Sequence, residues 1–135
     1  MIEISKDKSK LEVQTIYNFL SNSYWGKGRT FEQIEKSIEN SLCFGVYKED
    51  KQIGYARIAT DYTFFVFIMD VFILPEYRGN GYSKKMMEFI INDEEIKDCK
   101  TWMLKTADAH ELYTQFGFSV VNKPEMVMER FVNQL

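Results

Sequence analysis

The sequence predicts a mixed α/β fold in which helices and strands share one sheet. Three observations carry this expectation. The apolar spacing switches from a helical period to an alternation of two at Leu42. Polar turns then separate three consecutive strand-like runs. The chain is 45% hydrophobic and 16% aromatic over 135 residues, too apolar to stay disordered and long enough to close one core. A single domain covering residues 1–135 is therefore expected.

The elements follow in order. Ile2 and Ile4 alternate with polar residues as a short first strand. Leu11, Ile16, Phe19 and Leu20 recur at near-helical spacing, and that helix extends to Asn22. Residues 21–29, with two glycines, form a loop. Thr30 and Gln33 stand three apart as a capping box, opening a helix through Ile34 and Ile38 that ends near Ser41. Residues 42–48 and 52–60 pair as a hairpin about the polar turn Glu49-Asp50-Lys51. After a turn at Asp61-Tyr62, residues 64–74 make a long apolar strand of the kind buried on both faces, stopped by Pro75. Residues 81–92 read as a helix with Met86, Met87, Phe89 and Ile90 toward the core, and 101–105 as a short strand. Asp108 is the expected N-cap of a helix carrying Leu112, Tyr113 and Phe116, which Gly117 ends. Residues 118–121 and 126–131 complete the pattern as late strands.

Composition narrows the partners. A net charge of -3 lacks the basic excess of a general nucleic-acid binder. The most apolar run, 64–74, is broken by Asp70 and is too short to cross a bilayer. The first residues carry no long apolar stretch of the signal-peptide kind, so a cytoplasmic protein is expected. Cys43 and Cys99 are far apart and His110 is the only histidine, which predicts reduced thiols and no metal.

The chemistry concentrates between Asp70 and Lys85. A strand ends, Pro75 turns the chain, and Arg78-Gly79-Asn80-Gly81-Tyr82-Ser83 opens a helix. The first N–H groups of a helix have no internal acceptor and carry partial positive charge. Glycines beside them let an anion approach the main chain, so the turn reads as a phosphate seat. A Walker A loop is excluded because no Gly-Lys-Ser/Thr follows, and a dinucleotide fingerprint because Lys84 stands where its third glycine belongs. What remains is R-x-x-G-x-(G/A), here Arg78, Gly81 and Ser83. Serine replaces the commoner glycine or alanine; it is small enough for the loop to close, and its hydroxyl can donate to a phosphate oxygen.

These residues resemble the coenzyme A loop of the GNAT N-acetyltransferases. The phrase VFILPEYRGNGYSKKMM and the later block LYTQFGF, from Leu112 to Phe118, occur in that family's order. The resemblance spans residues 44–121. It implies an acyl-CoA N-acyltransferase fold, a central mixed and mostly antiparallel sheet flanked by about four helices. It implies acetyl-CoA as co-substrate, an amine of a small molecule or peptide as acceptor, and direct transfer between them. By motif position, the main chain of Val71, Phe72 and Ile73 would hold the pantetheine arm, and residues 78–83 the pyrophosphate. Tyr113 would protonate the departing thiolate, although a phenol of pKa about 10 needs local help to protonate a thiolate of about 8.5.

The base is less defined. Asp70, Glu32, Asp61, Asp108, His110 and a water chain are all open, with Asp70 singled out because it interrupts an apolar strand beside the acyl site. Tyr24, Trp25 and Arg29 are candidates for the acceptor wall, the rings to cover a cationic amine and Arg29 to hold a carboxylate or phosphate. A module of the same fold that binds acetyl-CoA as a sensor, without turnover, is the alternative. The late strands, if exposed, would offer edges for a homodimer.

Overall fold

The computed structural model describes residues 1–132. They fall into two compact units, Met1–Lys105 and the stretch from Thr106 onward.

The first unit holds one five-stranded sheet and three helices. In chain order these are β1 (Glu3–Ser5), α1 (Val13–Ser21), α2 (Phe31–Glu39), β2 (Leu42–Lys48), β3 (Lys51–Thr60), β4 (Phe65–Ile73), α3 (Tyr82–Ile91) and β5 (Thr101–Leu104). Spatial order equals chain order, β1-β2-β3-β4-β5. Every neighbouring pair is antiparallel except β4 and β5, which run parallel. A parallel pair needs a crossover, and α3 supplies it.

The two sheet faces bury different helices. Ile16 and Leu20 of α1 and Ile34 and Ile38 of α2 close on Cys43, Tyr55 and Phe72. Successive strand residues point to opposite faces. Cys43 therefore faces α1 and α2, while Phe44 meets Phe89 of α3 with ring centres 6.1 Å apart. Met86, Met87 and Ile90 of α3 are fully buried. Phe89, expected in the core, is 45% exposed and meets the core ring Phe44 edge-on. The capping box of α2 forms as expected, with Thr30 Oγ1 accepting from Gln33 N and Gln33 Oε1 from Thr30 N. Such a cap contributes about 1 kcal/mol.

β4 departs from expectation. It is not buried on both faces: Val66, Ile68, Asp70 and Phe72 are buried, and Phe67, Met69 and Val71 between them are half-buried.

In the second unit, α4 (His110–Thr114) carries Tyr113. Asp108 is not its N-cap. Ala109 takes that place without a side-chain bond to the helix, and the Ala109 N–H is held by Thr106 Oγ1 at 3.0 Å. Gly117 ends the turn as expected, at φ +88°. Gly117 N–H returns to Thr114 O and Phe118 N–H to Tyr113 O, each at 3.2 Å, which is a Schellman closure. The expected strands at 118–121 and 126–131 do not form among the described residues; a 3₁₀ turn at Pro124–Met126 intervenes, and Val120 and Met128 are exposed. An alternating pattern becomes a strand only where its N–H and C=O groups meet a ladder.

Two core tyrosines give an alkaline limit. Burial pushes the Tyr47 hydroxyl up to about 12 and raises Tyr55 further, the latter 3.3 Å from Cys43 Sγ. The unfolded chain loses these protons near pH 10. Above that pH it binds fewer protons than the folded chain, so stability falls as pH rises. Tyrosinate absorbance of Tyr47→Phe and the parent, recorded with circular dichroism, is expected to show this ionisation together with unfolding rather than before it.

Candidate active site

The site begins at an irregularity in β4. Arg57 pairs with Met69 and Tyr55 with Phe72, so Ala56 alone faces both Asp70 and Val71. The extra residue is a β-bulge. Asp70 adopts φ +55°, a left-handed conformation that aspartate tolerates better than most side chains.

Its carboxylate is 2% exposed and held from two sides. Oδ1 accepts from Arg29 Nη1 at 2.8 Å and Oδ2 from Arg57 Nε at 2.8 Å. Arg57 also donates to Ser41 Oγ at 3.2 Å and lies 3.6 Å from Met69 Sδ. Sequence reasoning missed Arg57. The signal was a lone charge in an apolar strand, opposite in sign to the lone Asp70 of the next strand.

The ladder between β4 and β5 stops at Ile68↔Leu104, just before the bulge, so Met69, Phe72 and Ile73 pair within the sheet with β3 alone. Main-chain groups of Val71, Phe72 and Ile73 thus lie where no β5 residue pairs with them. The chain then enters the glycine loop. Gly79 and Gly81 adopt φ +85° and +76°, and a Cβ on either would meet nothing within 4 Å. Open space therefore lies before the main chain. Gly81 is the N-cap of α3 and has no side chain to satisfy the helix. The first amide to return within the helix is Lys85 N–H, to Gly81 O at 3.1 Å. The earlier amides of Tyr82, Ser83 and Lys84 are available to an anion, so the turn fits a diphosphate.

Two loop side chains serve the loop itself. Arg78 Nε donates to Ile73 O at 3.0 Å, tying the loop to the end of β4. Asn80 Nδ2 braces the turn through Tyr77 O at 3.1 Å and Arg78 O at 3.4 Å.

The loop between α1 and α2 reaches the same strand. Phe19 stacks on Phe72 at 4.1 Å, Trp25 leans on Phe19 at 6.1 Å, and Tyr24 meets Trp25 edge-on at 5.2 Å. This ring series runs outward from β4, with Trp25 41% and Tyr24 74% exposed. Arg29, at its end, reaches the bulge through Asp70.

In the second unit, the Schellman closure sets Tyr113 against Phe118, ring centres 6.0 Å apart. Burial first, and the charge of Asp108 second, hold the Tyr113 hydroxyl above the ordinary tyrosine range. Among the other candidate bases, Asp61 Oδ1 accepts the N–H groups of Thr63, Phe64 and Phe65, and Glu32, Asp108 and His110 are exposed. Among the described residues no three His, Cys, Asp or Glu side chains gather as a metal site, and no helix is long and apolar enough to cross a membrane.

Known proteins share this fold. The sequence profile described as an acetyltransferase (GNAT) domain matches residues 39–120. A crystal structure from Xanthomonas campestris pv. campestris, of a protein assigned to the GNAT family, superposes with a TM-score of 0.95 at 36% identity, covering 98% of this chain and 94% of that one. A Gibberella zeae protein whose acetyltransferase name is itself provisional is 27% identical over 132 residues, 82% of this chain and 74% of its own length. A Clostridium acetobutylicum protein crystallised with acetyl-CoA has the same fold, with a TM-score of 0.73 at 16% identity over 97% of this chain and 96% of that one. By profile and by sequence identity across nearly its whole length, the chain belongs to the GNAT acetyltransferase family.

Proposed function

We propose that the protein moves the acetyl group of acetyl-CoA directly to the amine of a small molecule or peptide. One observation carries this reading: the bulged end of β4, unpaired with β5, leads through one 3₁₀ turn at Pro75–Tyr77 into a left-handed glycine loop and the uncapped start of α3. Acetyl-CoA supplies an activated acyl carbon as its thioester.

The chain's own groups do the rest. The amides of residues 79–83 seat the diphosphate, and Arg78 adds positive charge beside them. The main chain of Val71, Phe72 and Ile73 aligns the pantetheine arm, and an amide at the bulge donates to the acyl oxygen as it gains charge. Alignment of this kind is worth up to about 7–11 kcal/mol. Tyr113 donates the proton that the leaving sulfur needs. Asp70, with both oxygens engaged by guanidinium donors and almost no exposure, holds the bulge and Arg29 in place rather than deprotonating the amine. The amine's proton then leaves to water.

Calorimetric titration with coenzyme A and thiol release over an amine panel test this together. Gly81→Val forces a β-branched residue to φ +76° at the seat, and is expected to weaken coenzyme binding by at least about tenfold. Unchanged affinity in that variant removes the seat. Binding without thiol release from any amine selects the sensor instead.

A further inference from the structure

The charge at the bulge does not balance. Two guanidinium groups meet one carboxylate, leaving an excess of one positive charge. Exposure rises outward along the triad: the side chains of Asp70, Arg57 and Arg29 are 2%, 14% and 31% exposed. Arg57 is spent inside, on Asp70, Ser41 and Met69. Arg29 gives one terminal nitrogen to Asp70, and the remaining N–H donors of its guanidinium have no protein acceptor among the described residues. The uncompensated charge therefore emerges at Arg29.

Its position is fixed rather than floppy. Arg29 is locked at one end by Asp70 and at the other by its own N–H on Gly26 O at 3.2 Å. Gly26 is itself buried, and a Cβ there would meet Leu20 O at 2.4 Å. A guanidinium held this way presents a rigid fork whose free side matches a carboxylate or phosphate in two-point contact. It stands beside the bulge residue next to the acyl site, and the exposed rings of Trp25 and Tyr24 belong to the same loop.

We infer that Arg29 is an anion subsite for the acceptor, and that the acceptor is an amine bearing a carboxylate or phosphate on the same small molecule. This rests on the transferase reading. The excess charge draws the anionic group to the solvent side of Arg29, and the amine then lies toward β4. Asp70 prevents the guanidinium from swinging out, and so acts through Arg29 as a positioning residue.

The test compares three primary amines of matched length, carrying a carboxylate, a phosphate or a neutral amide. Thiol release from acetyl-CoA gives kcat/KM for each, and calorimetry with coenzyme A present gives binding without turnover. The parent protein is expected to prefer at least one anionic amine over the amide by about tenfold or more, through KM, the usual worth of a charge-assisted contact. The larger preference tells carboxylate from phosphate. Arg29→Gln is expected to collapse that ratio, and Arg29→Lys to restore part of it. A purely structural Arg29 would lower all three rates in proportion, so an unmoved ratio in Arg29→Gln overturns the subsite. So does a parent that favours the amide, or binds all three equally. Failure of the parent to bind coenzyme A overturns the transferase reading itself, and this inference with it.

Discussion

Asp70→Ala is expected to lower the unfolding free energy by about 3–5 kcal/mol, the usual cost of removing one partner of a buried ion pair. Arg57 would keep its charge in a side chain only 14% exposed, with a serine hydroxyl and a thioether as remaining neighbours. Arg29, 31% exposed, can turn to water and accounts for less of the loss. Alanine keeps the left-handed strain at φ +55° that aspartate already bears. Asp70→Gly loses the same ion pairs without that strain, so it should be the milder of the two. Urea titrations of both variants check this, read as midpoint shifts at constant slope. A loss below about 1 kcal/mol in Asp70→Ala would mean that the two arginines find water, and that the bulge does not depend on them.

Tyr113→Phe is expected to reduce kcat by about 10²- to 10⁴-fold, the range for a lost proton donor, while coenzyme affinity moves less than about twofold. The substitution keeps the ring that packs on Phe118 and the main chain that closes the Schellman turn, so it isolates the hydroxyl. The pH profile carries a second signature. Burial and then the Asp108 charge raise the Tyr113 hydroxyl. The phenol therefore remains a donor through neutral pH, and the rate should fall only above the ordinary tyrosine value of about 10. That alkaline limb should vanish in the phenylalanine variant and move downward in Asp108→Asn. A turnover unaffected by Tyr113→Phe at every pH removes the residue from the chemistry.

Much of this was written in local spacing. The capping box at Thr30, the hairpin about Glu49-Asp50, the stop at Pro75 and the close at Gly117 each depend on one or two residues acting within a few positions, so the sequence alone discloses them. The glycine loop was legible for the same reason, since strand, turn and helix start are consecutive. The setting of Asp70 was not. Its conformation answers to a register shift across two strands, and its partners come from a loop 41 residues earlier and a strand 13 residues earlier. Arg78 also differs from its motif reading in part, because its Nε meets a strand carbonyl that spacing does not reveal. The late strands failed for the opposite reason: their alternation is local, but pairing is not.

The extra residue in β4 also acts as a phase shift. Ile68 stands opposite Ile58, and Phe72 stands opposite Tyr55. Tyr55 and Ile58 sit three apart and point to opposite sides, whereas Ile68 and Phe72 sit four apart and in an unbroken strand would share one. Inserting one position lets a single strand feed both hydrophobic cores in turn. The same strand at full length but without the bulge would keep its even alternation, send Phe72 to the wrong side, and separate the helical pair α1 and α2 from the ring on which they close.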